Sequence, residues 1–101
     1  MADNKIAKES VKREVIAGER LYTLLVYSEN VAGVLNQIAA VFTRRQVNIE
    51  SLNVSASSIE GIHKYTITAW SDAATIEKIT KQVEKKIDVI KADYYEDSDL
   101  F

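Results

Sequence analysis

Asn30 and Gly33 stand three residues apart in "SENVAG" (28–33), directly ahead of a helical run, and Asn48 stands at the bend that leaves that run. The first backbone N–H groups of a helix have no intrahelical acceptor, and the helix dipole adds partial positive charge at that end. Such an end receives a carboxylate or a phosphate. Gly33 has no side chain, so a ligand can approach its backbone closely. The Asn30 amide both donates and accepts, which suits a carboxylate or an ammonium group. A purely structural reading stays open for each residue. Asn30 would then cap the turn, Gly33 would supply an unusual backbone angle, and Asn48 would be a left-handed turn residue.

The other chemistry-bearing side chains form no catalytic set. His63 is the single histidine, placed at a strand start beside Lys64, and the chain has no cysteine. Neither a metal site nor a Ser/His/Asp or Cys/His nucleophile can be assembled from these parts. No phosphate-binding glycine loop and no defensible pair of carboxylates is present. We therefore expect no catalytic residues, no metal ligands and no cofactor. Arg44 and Arg45 read as the basic end of a helix, favourably placed against its dipole, with contact to an acidic partner surface as the other option. Trp70, Tyr94 and Tyr95 fall at strand ends and read as core or interface packing. Tyr94 and Tyr95 point to opposite faces, so at most one of them lies fully in the core.

The elements that must position these residues follow from apolar spacing. "RLYTLLVY" (20–27) is a strand by length and β-branched and aromatic content. In "VLNQIAAVFTRR" (34–45), Val34, Leu35, Ile38, Val41 and Phe42 recur at helical spacing. "NIESLNVSA" (48–56) reads as a strand, and "SSIEGI" (57–62) as a hairpin connection. In "HKYTITAW" (63–70), Tyr65, Ile67 and Ala69 alternate with Lys64, Thr66 and Thr68. Asp72 is a good N-cap for a helix over 73–87 with Ile76, Ile79, Val83 and Ile87 on its buried stripe. Glu77 and Lys81 sit i, i+4 on its wet side. "DVIKADYY" (88–95) is the last strand. The order β-α-β-β-α-β, closed by right-handed crossovers, predicts an α+β, ferredoxin-like fold: a four-stranded antiparallel sheet with both helices on one face. The other face is expected to be at least partly polar. Residues 1–19 are expected to be a mobile tail or short surface helix with a thin stripe of Ile6, Val11, Val15 and Ile16. The domain runs over 20–96, and 97–101 is an acidic, loose end.

Bulk properties narrow the function classes. A chain of 101 residues is one small domain, able to bury a modest core, and oligomerisation would add to its stability. The formal charge of −2 argues against nucleic acid as the main partner. No apolar run approaches the roughly 20 residues a bilayer requires. The N-terminal stretch has no uninterrupted apolar core and carries four acidic residues before Arg20, unlike a secretory or transit signal. Cytoplasmic localisation is the default expectation.

The span from Leu21 to Tyr94 resembles an ACT domain, the small βαββαβ module that senses amino acids. Within it, "ENVAGVLNQIAAVFTRRQVNIESLNV" (29–54) resembles the opening of the small, regulatory subunit of acetolactate synthase (acetohydroxyacid synthase). That family reads Glu-Asn-x-x-Gly-(Val/Ala)-Leu, then a helix ending Phe-(Ser/Thr)-x-Arg, then Asn-Ile-Glu-Ser-Leu-x-Val, and all three pieces are present in order. "IEKITKQVEKKIDVIKA" (76–92) is similar to the family's second helix and last strand. The resemblance covers about three-quarters of the chain, and Asn-Ile-Glu-Ser-Leu is its most specific piece.

The resemblance implies that valine or a related branched-chain amino acid binds as feedback inhibitor between two ACT domains. It maps the site onto Asn30, Gly33 and Asn48, with Ala32, Val34 and Leu35 beside them. Ala32 stands where many ACT domains carry proline, which makes this turn less rigid. The resemblance further implies a homodimer or larger assembly and a separate catalytic subunit that uses thiamine diphosphate, so that this chain is no enzyme itself. Family members are usually longer, with a second domain after the ACT domain. An ACT sensor for another enzyme or regulator is the alternative. An RNA-recognition module shares the strand–helix order but needs exposed central aromatics and basic charge. An acylphosphatase-type enzyme would need an arginine in the first turn.

Overall fold

The computed structural model describes residues 18–97. The expected tail over 1–19 and acidic end over 97–101 therefore fall almost entirely outside the described residues. The elements are β1 (Arg20–Ser28), α1 (Val31–Arg44), β2 (Ile49–Ala56), β3 (His63–Ser71), α2 (Ala73–Glu84) and β4 (Val89–Glu96). The sheet order is β2-β3-β1-β4 and every neighbouring pair is antiparallel. This is the ferredoxin-like βαββαβ fold.

Strand alternation divides the sheet into a packed face and an open one. Leu24 stands opposite Ile67 across the β1–β3 ladder, and Val26 opposite Tyr65 and Ala92 on its two sides. These side chains meet Val34, Ile38, Val41 and Phe42 of α1 and Ile79 and Val83 of α2 in one buried core. Each such aliphatic or aromatic side chain contributes about 1.5–3 kcal/mol by leaving water. The opposite face carries Leu25, Tyr27, Lys64, Thr66 and Thr68, all half-buried, in keeping with its expected partial polarity. Thr23 on that face is buried, and its hydroxyl donates to Asp97 Oδ1 at 2.7 Å.

Three local expectations are corrected. First, α1 begins at Val31, a turn earlier than the apolar stripe indicates, so Gly33 lies inside the helix and not in a turn ahead of it. Second, the left-handed residue after α1 is Gln46 (φ 59), not Asn48. The N–H of Gln46 donates to the Thr43 carbonyl and that of Val47 to the Phe42 carbonyl. This is a Schellman ending, which satisfies carbonyls the helix would otherwise leave open. Third, α2 stops at Glu84, and Ile87 is 92% exposed, so it does not extend the buried stripe of Ile76, Ile79 and Val83. The Lys86 N–H turns back to the Val83 carbonyl, and a second turn from Lys86 to Val89 carries the chain into β4. Two consecutive tight turns leave no room for a further helical turn to lay Ile87 on the core.

Candidate functional site

The β1–α1 turn is held in place from several sides. Asn30 has extended backbone angles (φ −94, ψ 98), and its Oδ1 accepts from the Gly33 N–H at 3.4 Å. Its carbonyl accepts from the Val34 N–H at 3.0 Å. Asn30 is thus the N-cap of α1, and its side chain folds over Gly33. A Cβ built on Gly33 would lie 2.9 Å from Asn30 Nδ2. Gly33 has no positive φ, so the structural reading that it supplies an unusual backbone angle does not hold. What the position requires is room for the Asn30 amide.

A second tie comes from the sheet. Tyr65 on β3 is fully buried, and its hydroxyl donates to the Val31 carbonyl at 3.1 Å. A third comes from the α2–β4 connection, where the Glu29 N–H donates to the Asp88 carbonyl at 3.1 Å. Neither partner emerged from sequence reasoning. Alternation placed Tyr65 on the packed face, but nothing in local spacing tells where its hydroxyl ends.

The turn presents donors to solvent. Val31 and Ala32 are the first helical residues, and helix geometry provides no intrahelical acceptor for their N–H groups. No acidic side chain occupies the first turn of α1. An anion arriving there meets backbone donors and the positive end of the dipole without competition from a carboxylate inside that turn. Of the remaining site residues, Ala32 is exposed, Leu35 is half-buried against the core, and the Val34 side chain is fully buried. Val34 anchors the turn through its backbone and its packing, while Ala32 and Leu35 present surface.

Asn48 is not beside Asn30. It follows the Schellman ending at the far end of α1, where Phe42, Gln46, Val47, Asn48 and Ile49 border an open groove of about 290 Å³. With α1 14 residues long, the two asparagines are about 20 Å apart at a rise of about 1.5 Å per residue. One chain therefore brings Asn30, Ala32 and Gly33 together and leaves Asn48 elsewhere.

The other candidates have structural partners. Arg44 lies in the last turn of α1, and Arg45 caps it, its Nε donating to Gln82 Oε1 on α2 at 3.4 Å. Tyr22 and Tyr94 meet edge to face with ring centroids 5.9 Å apart. Tyr94 and Tyr95 are 36% and 38% exposed, so neither lies fully in the core. His63 stands opposite Ser28, and its buried Nδ1 has no hydrogen-bond partner among the described residues. Among those residues no helix is long and apolar enough to cross a membrane.

Fold comparison gives the class first. The chain superposes on the ACT domain of GTP pyrophosphokinase from Chlorobium tepidum with a TM-score of 0.64 at 18% identity, covering 76% of this chain and 99% of that one. This is the ACT-domain fold, with the capped β1–α1 turn at one end of the sheet. A narrower match comes from sequence. The family model described as "AHAS small subunit-like ACT domain" matches residues 24–91. The chain belongs to that family, the ACT domains of acetolactate synthase small subunits and their like. A probable acetolactate synthase small subunit of Methanothermobacter thermautotrophicus is 49% identical over 63 residues, 62% of this chain and 38% of the relative. The acetolactate synthase small subunit of Mycobacterium leprae is 41% identical over 76 residues, 75% of this chain and 45% of the relative. The solved acetolactate synthase small subunit from Thermotoga maritima aligns with a TM-score of 0.66 at 33% identity, covering 74% of this chain and 47% of that one. The chain thus spans less than half the length of each of these relatives.

Proposed function

We propose that this chain is the effector-binding module of a regulatory, non-catalytic subunit of acetolactate synthase. In this reading it binds a branched-chain amino acid of the valine type between two copies of itself and so controls a separate catalytic chain. The observation that carries the reading is the separation of Asn30 and Asn48 at opposite ends of α1. In a two-fold pair with the α1 helices side by side and antiparallel, the N-terminus of one helix faces the Asn48 end of the other. The effector carboxylate then lies on the Val31 and Ala32 N–H groups and the Asn30 amide. Its ammonium group meets the partner's Asn48 and nearby carbonyls. Its aliphatic end rests on apolar surface such as Leu35, where burying a side chain of that size contributes about 1.5–3 kcal/mol.

Control of catalysis requires that the effector favour one arrangement of the assembly over another. Thiamine diphosphate belongs, in this proposal, to the catalytic chain. Calorimetry with valine, leucine, isoleucine and lysine tests the reading. Saturable heat with one or more branched-chain amino acids and none with lysine is the expected result. Equal, negligible heats for all four would remove it, and heat with lysine alone would favour an ACT sensor for a different amino acid.

A further inference from the structure

Among the described residues, three buried side-chain atoms lack a hydrogen-bond partner: Ser28 Oγ, Gln37 Oε1 and His63 Nδ1. Leaving such an atom unpaired costs free energy, so each calls for a reason. Two of the three belong to residues that stand opposite each other. Ser28 ends β1, His63 begins β3, and the ladder makes them direct partners. Alternation puts both on the packed face, in line with Leu24 and Val26 on β1 and with Tyr65 and Ile67 on β3. Side chains paired in this way start about 5 Å apart at Cβ, within reach of a hydrogen bond after a change of rotamer. The rest of the row is apolar, with Ala56 opposite His63 on β2 and Val89 opposite Ser28 on β4. Within the row the hydroxyl and the imidazole have only each other. A serine suits a partner whose charge changes, because its hydroxyl donates to a bare Nδ1 and accepts from a protonated one.

The pair lies at the end of the sheet where α1 begins. Ser28 is two residues ahead of Asn30, and Tyr65, the next packed-face residue after His63, donates to the Val31 carbonyl. The positive end of the α1 dipole opposes a cation there, and α1 carries no titratable side chain from Val31 to Phe42. The charges on the flanking segments are Glu29 after β1, Glu60 in the β2–β3 connection, Lys64 on the open face of β3, and Lys85, Lys86 and Asp88 between α2 and β4. On β2 the charged residue is Glu50, at the far end of the strand. All of these are present with or without a ligand. A carboxylate arriving at the first turn of α1 is the change that turns the local field in favour of an imidazolium.

We propose that Ser28 and His63 form a proton site coupled to the effector turn: a carboxylate bound at the N-terminus of α1 draws a proton onto His63, and the Ser28 hydroxyl holds the imidazole in either charge state. The coupling rests on the effector site proposed above. Its sign is fixed. The occupied chain holds the proton more tightly than the empty one, so effector binding strengthens as pH falls through the range in which imidazole gains charge.

Valine calorimetry across pH tests this. The parent is expected to bind at least about fivefold more tightly at about pH 6 than at about pH 8. At about pH 7 its heat in phosphate and in Tris should differ by the buffers' ionisation heats, the mark of a proton taken up. His63→Gln keeps a polar side chain that does not titrate. It is expected to bind as the parent does at about pH 8, with no tightening at lower pH and no dependence on buffer. Ser28→Ala is expected to lose most of the tightening. His63 is the single histidine, so its ring signal in proton NMR of the untagged parent gives a second reading that needs no variant. That signal should titrate at higher pH with valine saturating than without. Valine binding that ignores pH and buffer, or a ring titration that valine leaves unmoved, overturns the proposal and leaves the sensor reading standing. Full tightening in Ser28→Ala overturns it too, as does tightening that survives in His63→Gln, which would put the proton on a carboxylate such as Glu29 or Asp88. Absence of valine heat at every pH would remove the sensor reading and the proton site together.

Discussion

Gly33 and Asn30 act as one unit, because the amide that caps α1 occupies the space a Cβ would need. Gly33→Ala sets two effects against each other. Alanine gains about 1 kcal/mol over glycine in a helix. Displacing the Asn30 cap costs about 0.5–2 kcal/mol. The expected net change is within about 1 kcal/mol in urea unfolding, while valine affinity falls at least about tenfold by calorimetry because the donor arrangement is lost. Retained affinity would place the carboxylate elsewhere. Tyr65→Phe tests the tie from the sheet. It removes one hydroxyl from a fully buried ring and leaves the Val31 carbonyl without that donor. We expect a loss of about 1–2 kcal/mol in urea unfolding, together with weaker effector binding because the first turn of α1 is less firmly held.

At the scale of elements, both helix caps are specific enough to be tested. Gln46 closes α1 in the left-handed region (φ 59), where a side chain costs about 1–2 kcal/mol relative to glycine. Gln46→Gly is expected to raise stability by about 0.5–1 kcal/mol, part of the gain being offset by glycine's greater freedom in the unfolded chain. A lower melting temperature for this variant would show that the Gln46 side chain has a role of its own. Asp72 caps α2, its Oδ1 accepting from the Thr75 N–H at 2.7 Å. Hydrogen bonds from the Thr75 backbone and hydroxyl hold its carboxyl below the ordinary 3.8. A folded value below the unfolded one means that this stabilisation is fully present above the unfolded value and is lost as pH falls through the folded one. Asn caps as well as Asp but does not titrate. Asp72→Asn should therefore unfold with a shallower loss of melting temperature between about pH 5 and about pH 2. Parallel acid limbs for the two proteins would refute the assignment.

For the whole molecule, the decisive question is whether the effector site is shared between copies. Asn30→Ala and Asn48→Ala each remove one half of a composite site, so either protein by itself should bind no valine. Mixed after unfolding and refolding together, the two variants form pairs in which one site combines an intact Asn30 with an intact Asn48. An equal mixture should recover roughly a quarter of the parental sites, since about half the pairs are mixed and each of those holds one intact site of two. No recovery in calorimetry of the refolded mixture would mean that both asparagines serve a site within one chain, against the length of α1 that separates them.

The sequence alone determined the order of elements, because helical and strand periods are local. The stripe of Val34, Ile38, Val41 and Phe42 and the alternation of Tyr65, Ile67 and Ala69 needed nothing from the rest of the chain. It also determined the Asp72 cap, a contact three residues long, and the family motif around Asn30, Gly33 and Asn48. Other features depended on the tertiary structure. Ile87 faces water because α2 stops a turn before its pattern does. Ile90 is turned out by a bulge set by the register of β4 on β1, and the Tyr65 hydroxyl reaches a carbonyl 34 residues away in the chain. Local spacing states which residues are able to be buried. Only the pairing of distant segments decides which of them are, because that choice is made by space and hydrogen-bond partners that no short stretch of chain contains.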